Sequence, residues 1–210
     1  VSGSFVFSDA FKIQGKVFDF GKVRLGWAKV GRDADPYQLQ NIFLVNPNFR
    51  GRSTVSRDQT FNNPNLKPEF TQEIEAGTQL SFLKRLIELD FTVYQRKSTN
   101  QIAAIAVPAS SGYNFRVLNF GEIENKGVEI DLAIRPVRTK SFTWEIRGIF
   151  TKNKNTVLSL TSGVDRIPLS NITDEISPYL EPGKPYGYLR GLTTLRDADG
   201  NLLISPETGG

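Results

Sequence analysis

EFTQEIEAGTQLSFLKRLIELDFTVYQR, residues 69–96, reads as two strands of strict alternation folded about a basic turn. The even positions run Phe70, Gln72, Ile74, Ala76, Thr78, Leu80, Phe82, and the odd ones Glu69, Thr71, Glu73, Glu75, Gly77, Gln79, Ser81. After Lys84-Arg85 the phase swaps, so that Ile87, Leu89, Phe91 and Val93 are apolar while Glu88, Asp90 and Thr92 are not. A period of two places one set on each face of a sheet. A two-residue loop at Lys84-Arg85 pairs Phe82 with Ile87, Leu80 with Leu89, Thr78 with Phe91, Ser81 with Glu88 and Gln79 with Asp90. Register and face then agree without adjustment, as a hairpin requires. One face is oily and the other carries carboxylates.

The pattern recurs. Val128, Ile130, Leu132 and Ile134 alternate with Glu129, Asp131, Ala133 and Arg135. Phe142, Trp144, Ile146 and Phe150 alternate with Thr143, Glu145, Arg147 and Thr151, and near the start Val23, Leu25 and Trp27 alternate with Arg24, Gly26 and Ala28. Such segments are long enough for the roughly 9 to 11 residues with which a tilted strand crosses a bilayer. A soluble antiparallel sheet, oily on its core side and charged in water, has the same periodicity.

Composition narrows the choice. The chain has 210 residues, 39% hydrophobic and 11% aromatic, with 15 Phe and no long apolar run. A membrane helix, which needs about 18 uninterrupted apolar residues, is excluded, whereas a membrane barrel escapes that test because its lumen-facing residues halve the hydropathy. There is no Cys and no His, so disulfides, thiolate sites, common zinc sites and Ser-His or Cys-His catalysis are out of reach within this chain. With 26 basic and 22 acidic residues the net charge is +4, mild and mixed, unlike the clustered basic stripe of a nucleic-acid binder. The chain starts at Val1 in strand-like sequence (Phe5, Val6, Phe7) and stops at Gly209-Gly210 after a turn-like run, which reads as an internal fragment, residues 1–210, of a longer barrel domain.

Connections alternate in length. Short ones lie at Lys84-Arg85 and around Val137 to Lys140; long ones are expected at Gly31 to Lys67, Ser98 to Glu124 and Lys152 to Lys184. Long loops without secondary structure are usually functional. Bacterial outer-membrane barrels show this asymmetry by rule, with short periplasmic turns and long extracellular loops. The expected fold is therefore all-β: a partial antiparallel transmembrane β-barrel, about six or seven strands of a larger wall. Ala103 to Val107 is a short apolar stretch read as a small strand in a loop hairpin or, alternatively, a contact for a covering partner.

Several blocks resemble a known family. Asn63-Pro64-Asn65-Leu66-Lys67-Pro68-Glu69, followed by Thr71, Glu73, Glu75 and Gly77, resembles a strand start of the TonB-dependent receptors, specifically the SusC/RagA class of Bacteroidota nutrient transporters. Leu89 to Tyr94 with Lys97 to Ile102 is similar to that class's next strand, and Asn119-Phe120-Gly121-Glu122-Ile123-Glu124-Asn125-Lys126-Gly127-Val128-Glu129-Ile130 is the most specific block. Lys152 to Asn155 and Gly183 to Tyr188 fit the family's succeeding segments, while Thr156-Val157-Leu158 fits only loosely. The resemblance runs from about Val17 to the C-terminus in the family's order; the plug and the TonB-contacting box lie outside the chain.

The resemblance implies a wall segment of a barrel of roughly 22 strands in the outer membrane, too few strands to close or to fold stably alone in water. It implies active import of large substrates, oligosaccharides first and peptides second, with outer-membrane lipid, a SusD-like substrate-binding lipoprotein lid, and TonB acting through the absent plug as partners. Leu80, Phe82, Ile87, Leu89, Phe91, Ile130, Leu132, Ile134, Trp144 and Ile146 would face lipid. Glu73, Glu75, Glu88, Asp90, Glu129, Asp131, Glu145 and Arg147 would face the lumen, as plug or substrate contacts, with Arg147 opposite Glu129 or Asp131. Tyr113, Phe115 and Arg116 are extracellular-loop candidates for a substrate or partner. No catalytic, cofactor or metal residue is expected: Glu73 and Glu75 share one regular wall with nothing to split their pKa values, and Asp197, Asp199 and Asn201 read as an Asp-Gly turn lacking the ligand spacing of a calcium loop. The rival readings are a passive porin or secretion barrel without plug, and a soluble glycan-binding β-sandwich.

Overall fold

The computed structural model describes residues 1–13, 15–169 and 176–203. In chain order the elements are β1 (Ser2–Phe5), α1 (Phe7–Ala10), β2 (Phe18–Arg32), β3 (Phe43–Phe49), β4 (Arg52–Arg57), β5 (Thr60–Phe61), β6 (Glu69–Phe82), β7 (Ile87–Ala106), β8 (Phe115–Arg138), β9 (Thr143–Leu160), β10 (Ile167–Pro168), β11 (Ile176–Leu180) and β12 (Tyr188–Gly191). β1, β2, β6, β7, β8 and β9 follow one another in a single antiparallel sheet, with β5 lying parallel against the start of β8. Smaller sheets, β3-β4 and β10-β11-β12, sit apart from it. The sheet is an open wall, not a closed barrel.

The expected β6-β7 register is the observed one: Phe82 pairs with Ile87, Leu80 with Leu89, Thr78 with Phe91, Ser81 with Glu88 and Gln79 with Asp90. The turn differs in detail. Residues 83–86 all lie outside the strands, and Leu83, Lys84 and Arg85 have φ of 55°, 57° and 63°. Left-handed backbone costs about 1–2 kcal/mol per non-glycine residue. Tethers offset it: Leu83 N–H donates to the Val17 carbonyl at 2.8 Å, and Arg85 N–H to the Asp19 carboxylate at 2.9 Å.

The long loop expected from Ser98 to Glu124 is mostly strand, and the one expected from Lys152 to Lys184 begins in strand. β7 continues to Ala106 and β8 begins at Phe115, leaving a loop of only residues 107–114 where Ser98 to Glu124 was expected, and β9 continues to Leu160. The cause is β-bulges. The β7-β8 register shifts around Gln101, and that of β8-β9 between Glu122 and Ile123. A bulge adds one residue, inverts the phase and erases the alternation that marks a strand. Ala103 to Ala106 is thus the far end of a long strand. At the start only Ser2–Phe5 is strand; Phe7 opens the short helix and lies over Gly21 of β2, stacked 6.0 Å from Phe18.

The two faces differ as alternation demands. Cross-strand rows on the apolar face read Gly21-Leu80-Leu89-Leu132-Gly148, Val23-Thr78-Phe91-Ile130-Phe150, Leu25-Ala76-Val93-Val128-Lys152 and Trp27-Ile74-Gln95-Lys126-Lys154, from the short-turn end toward the loop end. The last apolar residue is Trp27 on β2 but Phe150 on β9, four residues lower across four strand steps. With about 3.3 Å per residue and 4.8 Å between strands, that boundary crosses the rows at roughly 35°. Barrel strands tilt from the membrane normal by about 35–45°. The apolar belt is level in a bilayer only if the strands lean as barrel strands do.

Among the described residues the hydrophobic core cluster lies at the loop end, where Phe120, Ile123, Val157, Ile167 and Leu180 are buried together and Ala103, Ile105, Leu118, Leu160 and Val164 pack against them. Ile123 and Val157 share the face of Glu129 and Asp131, so β10 and β11 fold over the charged side of the wall.

Candidate functional site

The charged face is a wall of ion pairs. Arg24 on β2 lies opposite Gly77, which in turn faces Thr92 on β7. A Cβ on Gly77 would stand 2.7 Å from Arg24 Nε, so the missing side chain lets Arg24 cross β6. It reaches Asp90 at 2.8 and 3.0 Å, donates to the Thr92 hydroxyl and pairs with Glu75 at 3.5 Å. Toward the turn end Arg135 bridges Glu88 at 2.8 Å and Glu145 at 2.6 Å. Arg96 pairs with Glu73 at 2.9 Å. Arg147 lies opposite Ala133 and reaches diagonally to Asp131, donating to both carboxylate oxygens. Of the two carboxylates expected for Arg147, the structure selects Asp131; Glu129 faces Thr151.

Seven of the eight wall candidates are therefore ion-paired within the wall itself, Arg24 and Arg135 each serving two carboxylates, and Glu129 alone of the eight makes no ion pair among the described residues. The cations Arg24, Arg96 and Arg135 were not among the expected site residues, although alternation puts all three on this face. A cavity of about 410 Å³ opens between Arg85, Glu88, Arg135 and Arg147 above Ser81, whose buried hydroxyl has no hydrogen-bond partner among the described residues.

At the loop end the residues of the family-like blocks converge. The Asn119 amide donates to the carbonyls of Lys67 at 2.8 Å and Asn100 at 2.7 Å, while its oxygen accepts the Lys67 N–H at 2.9 Å. The Glu69 carboxylate accepts the Ile102 N–H at 2.6 Å. Gly121 passes so close to β9 that a Cβ would lie 2.1 Å from the Ser159 carbonyl oxygen. These clamps hold the outer ends of β6, β7 and β8 in one arrangement.

Above them Tyr113 and Phe61 meet edge to face, ring centroids 5.0 Å apart. The Arg57 guanidinium lies 4.1 Å over the Tyr113 ring and donates to the Gly112 carbonyl; Arg116 stands 5.8 Å from the Phe61 ring. Phe61, Tyr113 and Arg116, with Val107, Pro108 and Ser111, line a cavity of about 420 Å³. Of the three loop candidates, Tyr113 and Arg116 come together there, and Phe115 stands outside, 43% exposed at the start of β8. Phe61 and Arg57 lie more than fifty residues from Tyr113 in sequence, and nothing local announces them. Asp197 holds its turn through both carboxylate oxygens, bonded to the Asn201 side chain and to the N–H groups of Asp199 and Asn201.

A tilted antiparallel wall with an apolar belt on one face and paired charges on the other is a segment of a large transmembrane β-barrel. The "TonB dependent receptor-like, beta-barrel" family model matches residues 5–189, and the chain belongs to that family. TonB-dependent receptor P26 of Formosa agariphila is 31% identical over 161 residues, covering 74% of this chain and 16% of that protein. TonB-dependent receptor SusC of Bacteroides thetaiotaomicron is 30% identical over 165 residues, again with 74% and 16% covered. Among solved structures, the RagAB peptide transporter superposes with a TM-score of 0.76 at 19% identity over 88% of this chain and 20% of that one. The RagAB peptide importer in its "closed-closed" state gives 0.79 at 19% identity over 96% and 24%. The chain thus spans a small part of the length of the proteins it matches.

Proposed function

We propose that this chain is part of the barrel wall of an outer-membrane, TonB-dependent importer of large nutrients, with oligosaccharides as cargo. It acts without catalysis or cofactor: a plug fills the lumen, a SusD-like lipoprotein closes over the loop end, and TonB pulls on the plug. The observation that carries this reading is the family match across residues 5–189 on a wall whose belt and tilt suit a bilayer. Arg24 and Arg135 each serve two carboxylates, so the paired wall keeps an acidic balance toward a plug, and Glu129, which has no ion pair among the described residues, is the carboxylate placed to meet plug or cargo. The Phe61–Tyr113 cavity, flanked by Arg57 and Arg116, supplies the aromatic surface on which a sugar ring stacks.

The test is uptake of labelled oligosaccharides by cells carrying the whole receptor. Import that stops without TonB, and whose half-saturating concentration rises about three- to tenfold in a Tyr113→Ala variant at unchanged maximal rate, is the expected result. Import that persists without TonB returns the passive-porin reading. Import of peptides in place of oligosaccharides keeps the importer and corrects the cargo to the class of the RagAB peptide transporter.

A further inference from the structure

A second cavity, of about 380 Å³, lies on the opposite, apolar face of the wall. Its lining includes Lys29, Phe70, Gln72, Ile74, Gln95 and Lys97. Register fixes its height. Lys29, Gln72 and Lys97 form one cross-strand row, and the row beneath is Trp27, Ile74 and Gln95, where the apolar belt ends. The groove therefore opens at the level where hydrocarbon gives way to head groups.

Its charge is unbalanced. Lys29 makes no ion pair among the described residues; its ammonium lies 4.8 Å from the Phe70 ring centroid. Lys97 and Lys126 reach Glu122 and Glu124 at 2.8 and 2.9 Å. Lys154 stands directly opposite Lys126, with Lys152 one step below, and neither Lys152 nor Lys154 has an ion pair among the described residues.

We infer that this groove is a binding site for a phosphate-bearing lipid head group. The occupant is amphiphilic because the groove is continuous with the belt: acyl chains cover Ile74, Val93 and Val128 below while the anion meets Lys29 and Lys97 above. A phosphate presents enough acceptor oxygens to take the unpaired Lys29 ammonium together with a further N–H of Lys97, whose ammonium also pairs with Glu122, and the Gln72 and Gln95 amides stand beside it. Basic residues at such a surface attract anionic lipid by about fivefold each. The inference rests on the wall spanning a membrane and is independent of the cargo.

The whole receptor is purified and placed in nanodiscs of neutral lipid, with or without a diphosphorylated lipid, and lipid retained after mild delipidation is counted by native mass spectrometry. The expected result is selective retention of the phosphorylated lipid, reduced about 25-fold in a Lys29→Gln/Lys97→Gln variant and restored by Lys29→Arg/Lys97→Arg. Heat-shifted migration on a gel certifies that each variant is folded, and oligosaccharide uptake is followed separately, so that loss of transport and loss of lipid are read apart. Equal retention of neutral and phosphorylated lipid, or unchanged retention in the glutamine variant, overturns the site. So does displacement of the lipid by equimolar inorganic phosphate, which would make the groove a free-anion site. Loss of selectivity in a Lys152→Gln/Lys154→Gln variant, with the groove lysines intact, also overturns the assignment to the groove.

Discussion

The belt and the loop-end core use the same apolar residues to opposite effect. Leu25 and Phe150 in the belt are 64% and 53% exposed, whereas Val157 and Leu180 in the core are 0% and 1% exposed. Both lie on strands of one sheet or on the small sheet that folds against it. The core is covered by the chain's own β10 and β11, whereas no element among the described residues packs over Leu25 and Phe150 of the belt. Burial is thus a property of the solvent a face is built for, and the belt's exposure marks it as the lipid surface.

That contrast can be broken. The largest expected effect is Leu180→Ala, about 2–5 kcal/mol by the usual cost of emptying a packed core site. It should loosen β10-β11 and the outer end of β9 and leave the belt intact, seen as faster hydrogen exchange confined to residues 157–160 and to β10 and β11. Uniformly faster exchange across β6 to β9 would show that core and belt are one cooperative unit. Next, Leu132→Lys in the belt should cost about 2–4 kcal/mol in a bilayer. Unfolding of the whole receptor from vesicles measures it, and in a bilayer-free medium that dissolves charge the penalty should vanish. A cost that survives there would make the belt an ordinary core face.

The charged wall sharpens the comparison from the other side. Arg24→Ala unpairs Asp90 and Glu75, but the partners are about a third exposed, so the loss should stay within about 1 kcal/mol, against the larger apolar terms. A double-mutant cycle with Asp90→Asn reads it; a coupling several times larger would mean that a plug or lid buries the pair. Smallest is the Asp197 turn. The Asn201 side-chain amide, then its backbone N–H, hold the Asp197 carboxyl below the ordinary carboxylate range. A lowered value contributes order that is present above the ordinary pKa and lost as pH falls through the lowered one. The Asn201 amide resonance should hold its position through the ordinary carboxylate range and move only below it, with no change in belt or core.

Much of this was legible in advance. The 69–96 hairpin, its five named pairs and the faces of β2, β8 and β9 follow from alternation, because a period of two admits only one assignment of faces. The carboxylates of the wall were legible for the same reason. The outer halves of β7 and β8 were not, since bulges near Gln101 and Glu122 reverse the phase and the strands then look like loop.

The amino-acid sequence by itself determined which residues lie on the apolar face and which on the charged face, and in what register the central strands pair, since both depend only on neighbours along and across two strands. Tertiary structure alone decided that Arg24 reaches across Gly77 to Asp90, that Asn119 ties Lys67 to Asn100, and that Phe61 meets Tyr113. Each of those contacts joins segments that no local periodicity relates, and only the folded sheet brings them within a few ångströms.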